Sequence, residues 1–168
     1  MTMHMTPREL QRQLEAARSA QAGSAQRIQA HRKLAEQCPA FVPNLLSLSR
    51  SLLLDREDTD AQAHFAEGER VLRDAVEVSS EDASALIELA HFIDTVRDSP
   101  GEAEPLFAEA AHRASNLLEE AWAGLIWVLG EQEKLDAALK LASRAQRVFP
   151  DSEIIAEAVH FARQCAAR

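Results

Sequence analysis

The side chains that most often carry out chemistry are scattered along this sequence. Six histidines occur, and none is paired with another histidine or with a glutamate in an HxxxH or HExxH metal-binding pattern. The nucleotide-binding patterns GxGxxG and GxxxxGK[ST] and the serine-hydrolase pattern GxSxG do not occur either. The sequence therefore predicts a protein that is not an enzyme, with no catalytic residues, no metal site and no cofactor.

One acidic run could bind a cation. Residues 55–60 read Asp-Arg-Glu-Asp-Thr-Asp, and carboxylate oxygens are the ligands that calcium prefers. The run lacks the glycine and the closing glutamate of an EF-hand loop. We interpret it as a solvated loop whose last residue, Asp60, caps the following helix, with calcium binding as the alternative.

The two cysteines and the N-terminus indicate an intracellular protein. Cys38 and Cys165 lie far apart and form no CxxC pair, so we expect two reduced thiols. The first seven residues lack a basic segment followed by an apolar run, so no signal peptide is expected. No stretch approaches the roughly 18 apolar residues of a membrane-spanning helix. The default expectation is a cytoplasmic location.

The composition favours helices and an acidic surface. The 168 residues include 5 Gly and no Tyr, whereas the good helix formers Ala, Leu, Glu and Arg are abundant. This length suffices for one domain that buries roughly 70% of its unfolded surface. The net charge of −9 repels phosphate groups, so neither nucleic acid nor an anionic membrane is an expected partner.

Capping residues place most of the helix ends. Residues 6–9 read Thr-Pro-Arg-Glu, which is a capping box with proline at the first helical position. Ser24, the run at residues 79–82 and Ser152 are further predicted caps, and residues 98–101 are a strong turn signal. These signals predict an all-α chain of about nine helices.

A longer pattern occupies residues 119–152. Large residues begin it at Trp122, small residues follow at Ala138 and Ala145, and Pro150 closes it. The pattern resembles the tetratricopeptide repeat (TPR) family, W-x2-L-G-x2-Y…A-x3-F…P over 34 residues. Ile126 stands where the family has a small residue, and an alanine at position 142 replaces the usual aromatic one. The resemblance implies a right-handed α-α superhelix that binds other proteins.

The same repeat pattern extends along the chain, because equivalent positions in it are taken by Leu45, Leu86, Trp122 and Ala156. The resemblance implies a single TPR-like domain over residues 1–168 that ends in a C-terminal capping helix. Its parts are a degenerate repeat or N-terminal cap at 6–39, repeats at 41–80, 82–117 and 119–152, and the capping helix at 153–168.

The resemblance also implies a concave groove, lined by residues that are rotated away from the packed stripe of each first helix. In the last repeat the packed stripe is Trp122, Leu125, Ile126 and Leu129, and Ala123, Trp127, Gly130 and Glu131 should face the groove. For Trp127 the alternatives are an exposed contact for a partner or packing against the terminal helix. The predicted groove residues are Leu46, Arg50, Ile87, His91, Asp94, Trp127, Glu131 and Phe161.

These residue types favour one kind of partner. TPR domains that bind acidic C-terminal tails use Lys, Asn and Arg on these faces, whereas this groove offers only Arg50 as a cation, opposed by Asp94 and Glu131. An apolar and acidic groove suits an amphipathic helix or a basic peptide.

Three functions follow from the resemblance and the composition. The leading hypothesis is a non-enzymatic scaffold that binds a peptide or helix of a partner protein. The first alternative is a dedicated chaperone or immunity protein for one secreted effector. The second is a self-association module that forms a homo-oligomer through residues 52–54 or Trp127.

Overall fold

A computed structural model describes residues 5–55, 61–80 and 82–167 of the chain. Within these ranges the chain forms eight α-helices and no strand, which confirms the all-α prediction and agrees with a TPR-like helical repeat. The helices are α1 Pro7–Ser19, α2 Ala25–Gln37, α3 Val42–Leu53, α4 Ala61–Ser79, α5 Ala83–Thr95, α6 Pro100–Glu131, α7 Leu135–Val148 and α8 Glu153–Ala166. None of these helices is both long and apolar enough to cross a membrane.

The predicted caps form as the sequence indicates. Thr6 and Glu9 make the reciprocal capping box, in which the Thr6 amide donates to the Glu9 carboxylate at 2.7 Å. The side chains of Ser24, Asp82 and Ser152 accept hydrogen bonds from amides in the first turns of α2, α5 and α8. The predicted cap Asp60, and with it most of the acidic run, lies outside the described residues.

The main departure from the predicted helices is α6. It continues for 32 residues through positions 117–119, where the sequence predicted a boundary between two repeats, so eight helices are described instead of about nine. The reason is local, because residues 106–123 contain neither glycine nor proline and the run Leu117-Leu118-Glu119-Glu120 consists of good helix formers. The division of the chain into repeats therefore stays a prediction.

The packing divides into two compact units, Met1–Ala110 (unit 1) and Ala111–Arg168 (unit 2). In unit 1, α3 packs against α2 and α4, and α4 packs against α5. Leucines dominate its core. On α5 the residues Leu86, Leu89, Ala90 and Ile93 are all buried.

A buried polar pair joins α2 to α3 inside unit 1. His31 and Asn44 are both fully buried. The His31 Nδ1 atom lies 2.8 Å from Asn44 Oδ1, and Asn44 Nδ2 donates to the His31 carbonyl at 2.9 Å. The buried Nε2 atom of the imidazole has no hydrogen-bond partner among the described residues. Burial lowers the pKa of His31, which keeps the ring neutral.

Unit 2 has a core made mainly of alanine. It combines α7, α8 and the C-terminal part of α6, and its buried residues are Ala123, Ile126, Ala138, Ala142, Ala145, Ile155, Ala158, Val159 and Ala162. Because alanine is small, the helices can approach closely. One such close approach is at Gly130, where an added Cβ would lie 2.6 Å from the Cα of Ala162.

Candidate functional site

The eight predicted groove residues are divided between the two units. Five lie in unit 1, namely Leu46, Arg50, Ile87, His91 and Asp94, and three lie in unit 2, namely Trp127, Glu131 and Phe161. A groove shared by all eight therefore stays a prediction, and each set is described within its own unit.

In unit 1 the prediction for Leu46 is wrong. Leu46 is 8% exposed and belongs to the core, because α3 packs against both α2 and α4 and buries most of its surface. Ile87 and His91, one turn apart on α5, are exposed, and Asp94 is half-buried on the next turn. The His91 ring meets the Phe107 ring edge to face, with 5.0 Å between the ring centroids.

Arg50 is not a free cation. Its guanidinium forms a two-pronged ion pair with the Glu88 carboxylate on α5, with 3.1 Å between Nε and Oε2. The hydrogen bonds to Glu88 raise the pKa of Arg50 further above its usual value. The sequence reasoning missed Glu88, although Glu88 directly follows the predicted groove residue Ile87. The pair removes the positive charge that this surface was expected to offer.

In unit 2, the face of α6 that packs into the core is rotated from the predicted one. Leu125, predicted to be packed, is 49% exposed, whereas Ala123 and Gly130, predicted to face a groove, are buried. The cause is the close approach of α8, since only small residues on α6 fit against Ala162. Ile126 is fully buried as predicted.

Trp127 and Phe161 form a stacked aromatic pair between α6 and α8. The ring centroids are 3.7 Å apart and the ring planes are inclined by 7°. Trp127 therefore packs against the terminal helix, which is one of its two predicted alternatives. It remains 40% exposed, so the ring also presents apolar surface to solvent.

The stacked pair borders an open depression of about 450 Å³. Its lining residues are Trp127, Ala156, Glu157, His160, Phe161 and Gln164. The five from α8 recur at helical spacing and so share one face of that helix. His160 and Gln164 were missed as site residues, although they lie one residue before and three residues after Phe161. Their side chains contact each other, with 2.8 Å between Nε2 of each. The depression is thus lined by two aromatic rings, an alanine and three polar side chains.

Two glutamates lie one helical turn from the rings. Glu157 precedes Phe161 by four residues on α8 and lines the depression, and Glu131 follows Trp127 by four residues on α6 and is exposed. Residues four apart on a helix share a face. The rings therefore have a carboxylate beside them on each helix. In the described ranges, no cluster of three or more His, Cys, Asp or Glu side chains is placed to hold a metal ion.

An all-helical chain in which helices pack against their sequence neighbours has the architecture of an α-helical repeat protein. The model of the Myxococcota tetratricopeptide repeat protein family matches residues 2–80. The chain is also 49% identical, over 164 residues, to the "Uncharacterized 18.1 kDa protein in carS 3'region" of Myxococcus xanthus, covering 97% of this chain and 96% of that protein. The chain therefore belongs to this tetratricopeptide repeat family, which confirms the TPR resemblance. No solved structure matches the chain.

The family match falls on the N-terminal part of the chain, which includes the segment where the repeat pattern is weakest. Residues 2–80 include the degenerate pair at 6–39 and exclude residues 119–152, on which the resemblance was first based. Membership suggests a protein-interaction scaffold, and TPR proteins are generally not enzymes.

Proposed function

We propose that this protein is a non-enzymatic scaffold that binds a segment of another protein at the Trp127–Phe161 depression. The observation that carries the proposal is the stacked pair itself, in which a tryptophan keeps two-fifths of its surface in solvent beside an open apolar depression. Rigid aromatic rings give large contact area at a small cost in side-chain entropy, and tryptophan is enriched among residues that dominate binding energy.

The chemistry around the rings favours a partner segment with a cationic side chain. A Lys or Arg over the face of an indole ring gains a cation–π interaction. Glu131 and Glu157, one turn from each ring, would pair with the same positive group or with a second one on the next turn of a bound helix. An amphipathic basic helix supplies both the apolar face and the charges.

Charge at long range supports the same partner. Residues 1–110 hold 19 acidic and 11 basic side chains, so this part of the chain is strongly negative at neutral pH. Such a field attracts basic segments and raises their association rate, an effect that salt weakens. The exposed Ile87 and His91 in unit 1 remain predicted partner contacts of that unit.

The test is quantitative affinity capture from the source cell, with three immobilised forms of the full chain: wild type, Trp127→Ala and Ile154→Ala. Ile154 is a matched control because it is an exposed apolar residue on α8 outside the depression. We expect a protein that wild type and Ile154→Ala retain equally and that Trp127→Ala loses at least tenfold.

A synthetic peptide from that protein then gives a direct titration. We expect Glu157→Gln to weaken its binding several-fold, and more at low salt than at high salt. A partner that binds Trp127→Ala as tightly as wild type would show that the depression is not the docking site.

A further inference from the structure

Helix α6 has a second apolar face within unit 2, and the described residues leave it open to solvent. Its large members are Leu118, Leu125 and Val128, which are 41%, 49% and 45% exposed. The exposed residues Ala111, Ala114 and Ala121 complete the row. The core-facing residues Ala123, Ile126 and Gly130 point elsewhere on the helix. We name Ala111, Ala114, Leu118, Ala121, Leu125 and Val128 the α6 seam.

The seam residues follow one another at spacings of three, four, three, four and three. This alternation is the a/d spacing of a coiled coil, in which each side chain inserts between four residues of a facing helix. The positions that flank the seam hold Ser115, Leu117, Trp122 and Gly124. Since none of these carries a charge, the spacing and composition favour a helix as the facing element.

We propose that the α6 seam pairs with the α6 seam of a second copy of this chain, with the two helices antiparallel. In the antiparallel register centred between residues 119 and 120, Leu118 faces Ala121 of the second copy and Leu125 faces Ala114. Val128 faces Ala111. Every layer then combines one large and one small side chain, so the volume along the seam is even.

A parallel pairing does not have this property. It would set alanine against alanine in three layers and leucine against leucine in two, which leaves gaps in the small layers and crowds the large ones. Both arrangements are two-fold symmetric, as most soluble dimers are, so the sizes of the side chains decide between them. The alternation of sizes is therefore an argument for a second copy, because an unrelated helix would have no reason to carry the same sequence of sizes in reverse.

Charge does not oppose this contact. Residues 111–168 hold 8 acidic and 7 basic side chains, so unit 2 is nearly neutral although the whole chain is not. The seam is 18 residues long, about 27 Å at the rise of an α-helix. A strip of that length buries on the order of 500 Å² per chain, which is at the low end for specific interfaces. We therefore expect a weak dimer with a dissociation constant in the micromolar range.

Sedimentation of the full chain from about 1 µM to about 500 µM tests the association. We expect the average mass to rise towards that of a dimer in wild type and in Val148→Glu, and to stay at the monomer in Leu125→Glu. Val148 is the matched control because it is 56% exposed on α7, in the same unit, and receives the same charge. A wild type that stays monomeric at the highest concentration, or a Val148→Glu variant that dissociates as fully as Leu125→Glu, overturns the proposal.

Disulfide trapping tests the register. In a background with Cys38→Ser and Cys165→Ser, the antiparallel seam places Ala111→Cys of one chain opposite Val128→Cys of another. We expect oxidation to cross-link a mixture of the two variants and neither variant alone, with circular dichroism showing that both are helical. Cross-linking of either variant with itself would indicate the parallel arrangement and overturn the proposal. Trp127 is not a seam residue, so loss of partner binding in Trp127→Ala with an unchanged dimer separates the two surfaces.

Discussion

The same substitution at two glycines of α6 should change the stability of unit 2 in opposite directions. Gly124 and Gly130 lie six residues apart on one helix, and neither has a positive φ. A Cβ added at Gly124 meets no atom within 4 Å, whereas a Cβ at Gly130 would lie 2.6 Å from the Cα and 2.8 Å from the Cβ of Ala162. Backbone conformation does not require glycine at either position, so the difference is steric.

The magnitudes follow from these two environments. Replacing an exposed glycine in a helix by alanine stabilises a protein by about 0.5–1 kcal/mol. At Gly130 the same gain is outweighed, because the contact is with backbone that cannot move alone, and overpacking of this kind costs up to about 3 kcal/mol. We expect Gly124→Ala to stabilise unit 2 by about 0.5–1 kcal/mol and Gly130→Ala to destabilise it by about 2 kcal/mol.

Urea unfolding followed by tryptophan fluorescence measures this effect. The two tryptophans of the chain, Trp122 and Trp127, both lie in unit 2 and so report on that unit. With a slope of about 1 kcal/mol per molar urea, the midpoint should fall by about 2 M for Gly130→Ala and rise by about 0.5–1 M for Gly124→Ala. Working at about 0.1 µM, below the micromolar dissociation constant expected for the dimer, keeps the α6 seam unpaired.

A second substitution checks the cause. Ala162→Gly removes the Cβ that lies 2.8 Å from the added methyl group but leaves the Cα at 2.6 Å. The double variant Gly130→Ala/Ala162→Gly should therefore recover little stability. If Gly130→Ala proved as stable as wild type, the close approach of α6 and α8 would be refuted. The orientation of α6 that places Trp127 beside Phe161 would be refuted with it.

Three further predictions concern other parts of the chain. Burial lowers the pKa of His31, so the free energy of unfolding should have its full value above the ordinary histidine pKa of about 6.5 and should decrease as the pH falls below it. Urea titrations by circular dichroism from pH 5 to 8 should show a weaker dependence of this free energy on pH for His31→Gln than for wild type. Trp122→Ala, which removes a half-buried ring packed edge-on against Phe149 at 6.0 Å, should cost about 2–3 kcal/mol, clearly more than Trp127→Ala in the same thermal melts. Gly23→Ala should destabilise unit 1 by at least about 2 kcal/mol, because φ is +75° and the new Cβ would lie 2.2 Å from the Leu54 carbonyl oxygen; an unchanged melting temperature would contradict this.

The features that could be predicted from the sequence are those that depend on contacts between residues close together in the chain. The capping box of Thr6 and Glu9 and the cap at Ser152 depend on contacts within four residues, and both formed as predicted. The boundary at 117–119 was inferred from repeat length instead of local chemistry, and local chemistry favoured a continuous helix there.

The features that could not be predicted depend on which face of each helix packs against a helix far away in the sequence. Burial of Leu46 and exposure of Leu125 reverse their predicted roles because packing partners far along the chain set the rotation of each helix. Trp127 and Phe161 were each named as site residues, but 34 residues separate them, and no local pattern predicts that their rings stack. The pair of His31 and Asn44, 13 residues apart, has no sequence signal at all.

The alanine core of unit 2 also constrains how its sequence can drift. Six of the nine buried core residues are alanines. A leucine core can exchange Leu for Ile or Met and repack with little loss. An alanine at a close helix contact has no isosteric neighbour: glycine removes its only methyl group and weakens the helix, and anything larger pushes the helices apart. We therefore expect the inward faces of α7 and α8 to accept the fewest substitutions in a library of variants, although most of their buried side chains are small.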